Sequence, residues 1–125
     1  MIYIDTHIAV WTFLGQTRRL SAASKKAIAA GPVWYSPMVR MELNILHERR
    51  KLPAESPALV IADLARDFDA QEYDGPFSAV VTIAETLRWT TDPFDRLIVA
   101  TAMADDAKLV TADGDIIQHF SGAVW

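Results

Sequence analysis

The chain has 125 residues, no cysteine and a formal net charge of −4, and 51% of its residues are hydrophobic. This length predicts a single domain spanning residues 1–125, with enough apolar material for one core. The composition excludes disulfides and cysteine-ligated zinc, and the negative charge argues against binding nucleic acid by charge alone. Because no signal peptide and no membrane-length apolar run is recognisable, we expect a cytoplasmic protein without a membrane partner.

The first half of the chain alternates between short apolar runs and helix patterns. It predicts strands at residues 2–4 and 33–35 and helices at 6–14, 22–30 and 37 to about 50. The last helix has the clearest start, because Ser36-Pro37 combines a capping side chain with a proline at the first helical position.

The second half continues the alternation. It predicts helices at 57–66, 75 to about 88, 93–105 and 115–119, and strands at 68–73, 108–111 and 123–125. Ser56-Pro57 and Asp92-Pro93 repeat the cap-and-proline pattern. Strands that alternate with helices predict an α/β fold with a mainly parallel sheet.

Four carboxylates occupy related places in this predicted fold. Asp5 and Asp113 follow strands, and the carboxyl ends of parallel strands form the edge where open α/β sheets bind ligands. Glu42 and Asp95 stand early in helices that can leave from the same edge. The sequence therefore predicts that these acids, separated along the chain, meet in one place.

Each aspartate also has a purely structural interpretation. Asp5, taken alone, is more often a helix cap, and Asp92 before Pro93 is a cap whatever else it does. Asp113 before glycine has the composition of an ordinary turn. Asp95 in a first turn stabilises the helix dipole.

Glu42 is harder to explain structurally. It shares an apolar helix stripe with Ile45 and Leu46, and burying one unpaired carboxylate costs several kcal/mol. A structural ion pair with Arg40 or Arg49 is the alternative to a functional role.

Clustered carboxylates are tolerated where a divalent cation lies among them. Mg²⁺ and Mn²⁺ prefer oxygen ligands, and they activate water and neutralise charge on a phosphodiester. Thr6 and Thr111 are candidates to hydrogen-bond the carboxylates, although capping and strand-edge roles explain them equally well. For Arg96 an ion pair with an acid is favoured over contact with a phosphate.

At this point the chain resembles the PIN-domain ribonucleases, specifically the toxins of VapBC-type toxin–antitoxin pairs. The likeness covers almost the whole chain, and its most specific part is Asp92-Pro93-Phe94-Asp95-Arg96. The other segments that carry it are Tyr3-Ile4-Asp5-Thr6-His7, Ser36-Pro37-Met38-Val39-Arg40-Met41-Glu42-Leu43, Leu97-Ile98-Val99-Ala100-Thr101-Ala102, Leu109-Val110-Thr111-Ala112-Asp113 and Val124-Trp125. Thr90-Thr91 stand where many relatives have a histidine, so no role is carried over for that residue.

The resemblance implies a three-layer α/β/α sandwich and a Mg²⁺- or Mn²⁺-dependent endoribonuclease. It implies that Asp5, Glu42, Asp95 and Asp113 are the catalytic and metal-binding residues. Asp115 lies close to Asp113 in the sequence, so either of the two is the fourth acid. Asp92 either contributes or is only a cap. The implied partners are an RNA substrate, an antitoxin protein and a second copy of the chain.

Two further features bear on binding. Arg49-Arg50-Lys51 is a candidate to grip an RNA backbone, as are Arg18-Arg19 and Lys25-Lys26, although charge runs are more often solvated faces. The first helix, with Trp11 among its apolar residues, is more apolar than one buried stripe needs. Core packing is the simplest account, and the resemblance implies another, a groove that takes an amphipathic segment of an antitoxin. The competing function is a catalytically silent PIN-like module that binds RNA or a protein.

Overall fold

The computed structural model describes all of residues 1–125 and contains a five-stranded sheet surrounded by seven α-helices. The strands are β1 Ile2–Ile4, β2 Val33–Tyr35, β3 Gln71–Glu72, β4 Lys108–Val110 and β5 Ala123–Val124. The helices are α1 Thr6–Phe13, α2 Ala22–Ala29, α3 Pro37–Glu48, α4 Pro57–Phe68, α5 Phe77–Ala84, α6 Pro93–Ala104 and α7 Gly114–His119.

All strands of the sheet are parallel, in the order β3-β2-β1-β4-β5. This confirms the predicted α/β/α fold with its parallel sheet. From β1 the chain builds outwards over β2 and β3, and it then returns to the other side of β1 to add β4 and β5. The strand order therefore reverses between β1 and β4, and a crevice for ligands opens at the carboxyl end of such a switch point.

The cap-and-proline pattern marks three helix starts as predicted. The Ser36 hydroxyl accepts a hydrogen bond from the amide of Met38 at 3.1 Å, and the Ser56 hydroxyl accepts one from Leu59 at 3.2 Å. Asp92 Oδ1 accepts one from Phe94 at 2.8 Å. In each case the side chain satisfies an amide that has no partner inside the helix, and the following proline needs no partner.

The predicted elements differ from the structure mainly in two places. Helix α5 ends at Ala84 and not near Arg88, because the Thr86 hydroxyl donates to the Ile83 carbonyl at 2.6 Å and closes the last turn. Strand β3 is confined to Gln71–Glu72 because α4 continues to Phe68 and Asp69 then takes a left-handed conformation, with φ of 50°. A short 3₁₀ helix at Thr17–Arg19 was not predicted.

The core lies between the sheet and its helices. Tyr3 and Ile4 of β1 and Leu109 and Val110 of β4 are almost fully buried, and helices of both halves of the chain pack on them. None of the helices combines the length and hydrophobicity that crossing a bilayer requires.

Candidate active site

Asp5 stands at the centre of the crevice, directly after β1, and only 4% of it is exposed. Its amide donates to the carbonyl of Val110 at 3.0 Å, so the pairing of β1 with β4 continues to Asp5 itself. Asp5 Oδ1 accepts from the amide of Thr6 at 2.8 Å, which is the helix cap, and Oδ2 accepts from the Thr111 hydroxyl at 2.7 Å. Capping and placement at the predicted site are therefore compatible roles for this carboxylate.

His7 lies close to Asp5 in the sequence, but the sequence does not indicate its contact with the segment after β4. His7 Nε2 accepts a hydrogen bond from the amide of Ala112 at 3.1 Å, which places the proton of the neutral imidazole on Nδ1. Nδ1 lies 3.7 Å from Asp5 Oδ2. The ring thus links α1 to the segment after β4 and lies close to Asp5.

Glu42 reaches the same edge from α3 and is half-buried. Its Oε1 accepts a hydrogen bond from the Thr6 hydroxyl. Burial raises the pKa of Glu42, the Thr6 hydrogen bond opposes this, and repulsion from Asp5 and Asp92 adds to the increase.

The alternative interpretation of Glu42, a structural ion pair with Arg40 or Arg49, is wrong. Arg40 binds Glu72 instead, with Nε 2.6 Å from Oε1, because Glu72 at the end of β3 lies beside this face of α3. Arg49 forms no ion pair. Glu42 is therefore a partly buried carboxylate that forms no ion pair within the protein.

Asp95, in the first turn of α6, is the most strongly perturbed of these acids. It is half-buried, and no hydrogen bond from the protein reaches its carboxylate. Its pKa rises to about 7, first because of burial and then because of repulsion from four other acids, in decreasing order Asp92, Asp113, Asp5 and Glu42. These five residues, which we call the acidic cluster, come from widely separated segments and share one electrostatic environment.

Asp92 and Asp113 each use one oxygen as a helix cap. Asp92 Oδ1 caps α6, and Asp113 Oδ1 accepts from the amides of Asp115 and Ile116 at 2.9 and 3.0 Å to cap α7. The Oδ2 atom of each has no hydrogen bond from the protein. Asp113, and not the exposed Asp115, contributes to the raised pKa of Asp95, which favours Asp113 as the fourth acid.

Apart from one contact of His7, no cationic side chain of the protein forms an ion pair with the acidic cluster. The ion pairs of the chain are Arg40–Glu72, Arg66 with Asp63 and with Asp67, and the 3.7 Å contact of His7 with Asp5. The ion pair expected for Arg96 is wrong, because its Nε donates to the carbonyl of Thr90 at 2.6 Å. Negative charge thus accumulates in the crevice without an internal counterion.

The oxygens of the acidic cluster are of the type that a hard divalent cation prefers, although they are too far apart to coordinate a single ion. In this conformation no three acidic or histidine side chains are close enough to hold one ion together. Mutual repulsion favours such a spread, and an ion has to draw the carboxylates inwards. Oxygens free of protein hydrogen bonds remain on Glu42, Asp92, Asp95 and Asp113, a donor set that fits Mg²⁺ or Mn²⁺.

Two cavities meet at Glu42 and Leu46. One, the Trp11 cavity, measures about 280 Å³ and is lined by Thr6, His7, Val10, Trp11, Glu42, Leu46 and Lys51. The other, the Arg49 cavity, measures about 480 Å³ and is lined by Glu42, Ile45, Leu46, Arg49 and residues 90–94. Each therefore places one basic residue next to the acidic cluster.

The end of α3 explains why the two basic residues separate. Arg50 adopts a left-handed conformation with φ of 56°. Its amide donates to His47 at 3.0 Å and the amide of Lys51 donates to Leu46 at 2.8 Å, the double hydrogen bond that reverses the chain after a helix. Arg49 and Lys51 consequently line opposite cavities.

Thr111 allows a direct test of how Asp5 is held. Besides donating to Asp5, its fully buried hydroxyl accepts from the amide of Asp113 at 3.1 Å. We expect Thr111→Val to lower the free energy of unfolding by about 1–3 kcal/mol, since it leaves buried partners unsatisfied. Any RNA-cleaving activity should fall roughly 10- to 100-fold. Thr111→Ser retains the hydroxyl, so it should keep most of the free energy of unfolding in denaturation assays and most of the activity in cleavage assays. An inactive serine variant would contradict the role of the hydroxyl in holding Asp5.

Comparison with known proteins identifies the family. The sequence model described as the PIN domain matches residues 2–121. The chain belongs to the PIN-domain family. This confirms the resemblance carried by the sequence motifs.

Relatives of this PIN domain include Ribonuclease VapC22 of Mycobacterium tuberculosis. The two are 29% identical over 119 residues, which cover 94% of this chain and 91% of the relative.

Two solved structures share the fold. The VapBC2 complex of Rickettsia felis, bound to a DNA fragment from its promoter, matches with a TM-score of 0.65 and 17% identity over 96% of this chain and 94% of that chain. A toxin–antitoxin complex from Klebsiella pneumoniae matches with a TM-score of 0.64 and 18% identity, over 100% of this chain and 97% of that one.

Proposed function

We propose that this PIN domain is a Mg²⁺- or Mn²⁺-dependent endoribonuclease and the toxin of a toxin–antitoxin pair. The observation that carries the proposal is the acidic cluster at the switch point of the sheet, where burial and repulsion from the four other carboxylates raise the pKa of Asp95 to about 7 and no lysine or arginine forms an ion pair with these acids. Perturbed acids gathered in a cleft are typical of functional sites. A relative named as a ribonuclease, similar over nearly the whole chain, supports the same reaction.

In the proposed site, Asp5 and Asp95 would hold the principal ion. Glu42 would contact it through water or orient the attacking water, and Asp113 would help to hold the ion or its waters. Hydrogen bonds from Thr111 and Thr6 hold Asp5 and Glu42 in place, and binding of the ion would require the acids of the cluster to move closer together. When bound, the ion lowers the pKa of water and neutralises charge on the phosphate.

The protein groups then complete an in-line hydrolysis. The oxygen of the attacking water bonds to phosphorus, and a carboxylate accepts its proton. Glu42 suits that role, because its raised pKa makes it a better base than an ordinary glutamate. The bond from phosphorus to the leaving ribose oxygen breaks, and that oxygen takes a proton from solvent. Arg49 and Lys51 are placed to contact neighbouring phosphates.

Incubation of the purified chain with RNA tests the activity. We expect internal cleavage of RNA with Mg²⁺ or Mn²⁺ and none with EDTA. RNA or antitoxin binding without cleavage would instead favour the silent PIN-like module.

The proposed protein partner is an antitoxin, supported by solved structures of the same fold that are toxin–antitoxin complexes. A short reading frame beside the gene, encoding a DNA-binding segment and an amphipathic tail, would be the candidate. Homodimerisation rests on the family resemblance, and sedimentation of the purified chain tests it.

Salt dependence tests the proposed grip on the RNA backbone. Each phosphate contact made by a basic side chain adds about 0.7 to the slope of log affinity against log salt for a single strand. We expect Arg49→Met together with Lys51→Met to reduce the slope by roughly 1 to 2. Lys25 and Lys26 on α2, another candidate pair in the sequence, line neither of the two cavities. Lys25→Met with Lys26→Met is therefore the comparison of equal charge, and an equal loss of slope in both variants would contradict a specific role for the α3 end.

A further inference from the structure

Trp11, on α1, is the centre of an aromatic cluster beside the acidic cluster. The His7 ring meets it edge-on, with centroids 5.1 Å apart, and the ring of Trp125 lies 6.3 Å away. The guanidinium of Arg19 lies over the Trp11 ring, 5.3 Å from its centroid. Three neighbours thus fix the orientation of the indole.

Part of the indole remains available to a ligand. Trp11 lines the Trp11 cavity, whereas Arg19 and Trp125 do not. The cavity also contains Thr6, Glu42 and His7, the residues that position or belong to the acidic cluster, and Lys51. It therefore offers an aromatic wall, polar groups and one cation in direct continuity with the proposed site of cleavage.

The size and polarity of the cavity limit what fits. A volume of about 280 Å³ is sufficient for one flat ring system of the size of a nucleobase. A buried apolar peptide side chain would leave Lys51 and the second carboxylate oxygen of Glu42 without a partner in the cavity. A flat ring with polar edges and an attached phosphate satisfies the indole, the polar groups and Lys51 together.

We propose that the Trp11 cavity binds one unstacked nucleobase of the RNA, next to the scissile phosphate. Trp11 stacks on the base and Lys51 contacts the adjoining phosphate. Aromatic side chains combined with basic residues are the general means of holding single-stranded nucleic acid. Because the base must leave its stack to enter, the cavity selects single-stranded segments over duplex. This inference rests on the proposed function, since it names a subsite of the same RNA-cleaving site.

The test compares two fluorescein-labelled single-stranded probes of equal length and charge, one of oligoadenylate and one with the same backbone but no bases. Binding is measured by anisotropy in an Asp95→Asn background, so that the RNA is not consumed. We expect the base-containing probe to bind more tightly, and Trp11→Leu to lower its affinity roughly 5- to 100-fold with little effect on the baseless probe. Trp11→Phe should retain most of the preference, and Lys51→Met should weaken both probes equally.

Trp34→Leu is the matched control, because Trp34 lines a separate cavity with Met1, Ile2 and Pro32, near the amino ends of the strands. It should leave the preference unchanged. A Trp11→Leu variant that keeps the full preference for the base-containing probe overturns the subsite. If that variant also loses affinity for the antitoxin, the cavity binds the antitoxin and not a base.

A second measurement does not depend on the folding of Trp11→Leu. A 2-aminopurine base within oligouridylate should be quenched on binding to the Asp95→Asn protein, and unchanged fluorescence of the bound probe contradicts stacking. Cleavage by the wild-type chain is assayed separately. RNA cleavage by a chain that binds the baseless probe as tightly as the base-containing probe rejects the subsite alone, whereas absence of cleavage rejects the proposed function.

Discussion

Asp95→Asn is expected to reduce cleavage of RNA at least about a hundredfold, the largest loss that we anticipate from a single isosteric change. Both oxygens of Asp95 lack protein hydrogen bonds and face the other acids, so the carboxylate is available to an ion. An amide supplies one neutral oxygen in place of a charged ligand, and the cation loses several kcal/mol of charge stabilisation. Asp5→Asn should have a similar effect, and initial rates with Mg²⁺ and Mn²⁺ measure both.

Asp69→Asn is the matched control for these variants. Asp69 is exposed at the end of α4 with φ of 50°, a conformation that asparagine tolerates, so only one surface charge is removed. Its activity should stay near that of the wild type. If Asp5→Asn or Asp95→Asn also cleaves RNA at the wild-type rate, the assignment of these two acids is wrong.

Mn²⁺ is expected to stabilise the folded chain strongly, and most strongly above pH 7. At a hundred times its dissociation constant, an ion bound only by the folded state adds about 2.7 kcal/mol to the free energy of unfolding. For a chain of this length the melting temperature should rise on the order of 10 °C. A silent module without a metal site should show no shift, and neither should Asp95→Asn if this carboxylate is an essential ligand.

The pH dependence of the metal-free protein follows from the same carboxylate. The folded pKa of Asp95, about 7, exceeds its ordinary value of 3.8, so the folded state binds more protons between these values. The Asp95 carboxyl therefore makes its full contribution to the free energy of unfolding below about pH 4, and this contribution is lost as the pH rises through 7. Each pKa unit is worth about 1.4 kcal/mol, which we reduce to a total of about 2 kcal/mol because half of the carboxyl remains solvated.

Denaturation in EDTA checks this sign. At pH 8 Asp95→Asn should be more stable than the wild type by about 2 kcal/mol, and the difference should shrink towards pH 4. Comparing the two proteins at each pH cancels the titration of the other groups. A variant that is equally or less stable at pH 8 would show that the acids do not repel one another in the metal-free fold.

The structural interpretations of Asp5 and Asp92 as helix caps are confirmed, and they are compatible with the proposed site. Asp5, Asp92 and Asp113 all cap helices, and each does so with Oδ1 alone. A cap consumes one oxygen of a carboxylate and leaves the other for a different partner. Helix starts at the carboxyl edge of a parallel sheet therefore deliver acids to the crevice as part of ordinary helix capping.

Local chemistry was sufficient for much of the fold. The pattern of apolar runs indicated the strands β1, β2 and β4, and Ser36, Ser56 and Asp92 marked helix starts, because caps and proline act through neighbouring amides. Element ends were less predictable. The closure of α5 by Thr86 and the left-handed Asp69 reflect particular hydrogen bonds that a pattern of residue types does not specify.

The sequence by itself determined which residue types reach the carboxyl edge of the sheet, because position after a strand or in a first helical turn is a local property. Only the tertiary structure decided their electrostatic partners. Arg40 binds Glu72 and His7 spans from α1 to Ala112, because these contacts depend on how distant segments pack. The contact of Arg96 with the Thr90 carbonyl depends on the path of the loop before α6. For the same reason only the fold shows that Trp11, one of several apolar residues of the first helix, lines a cavity beside Glu42.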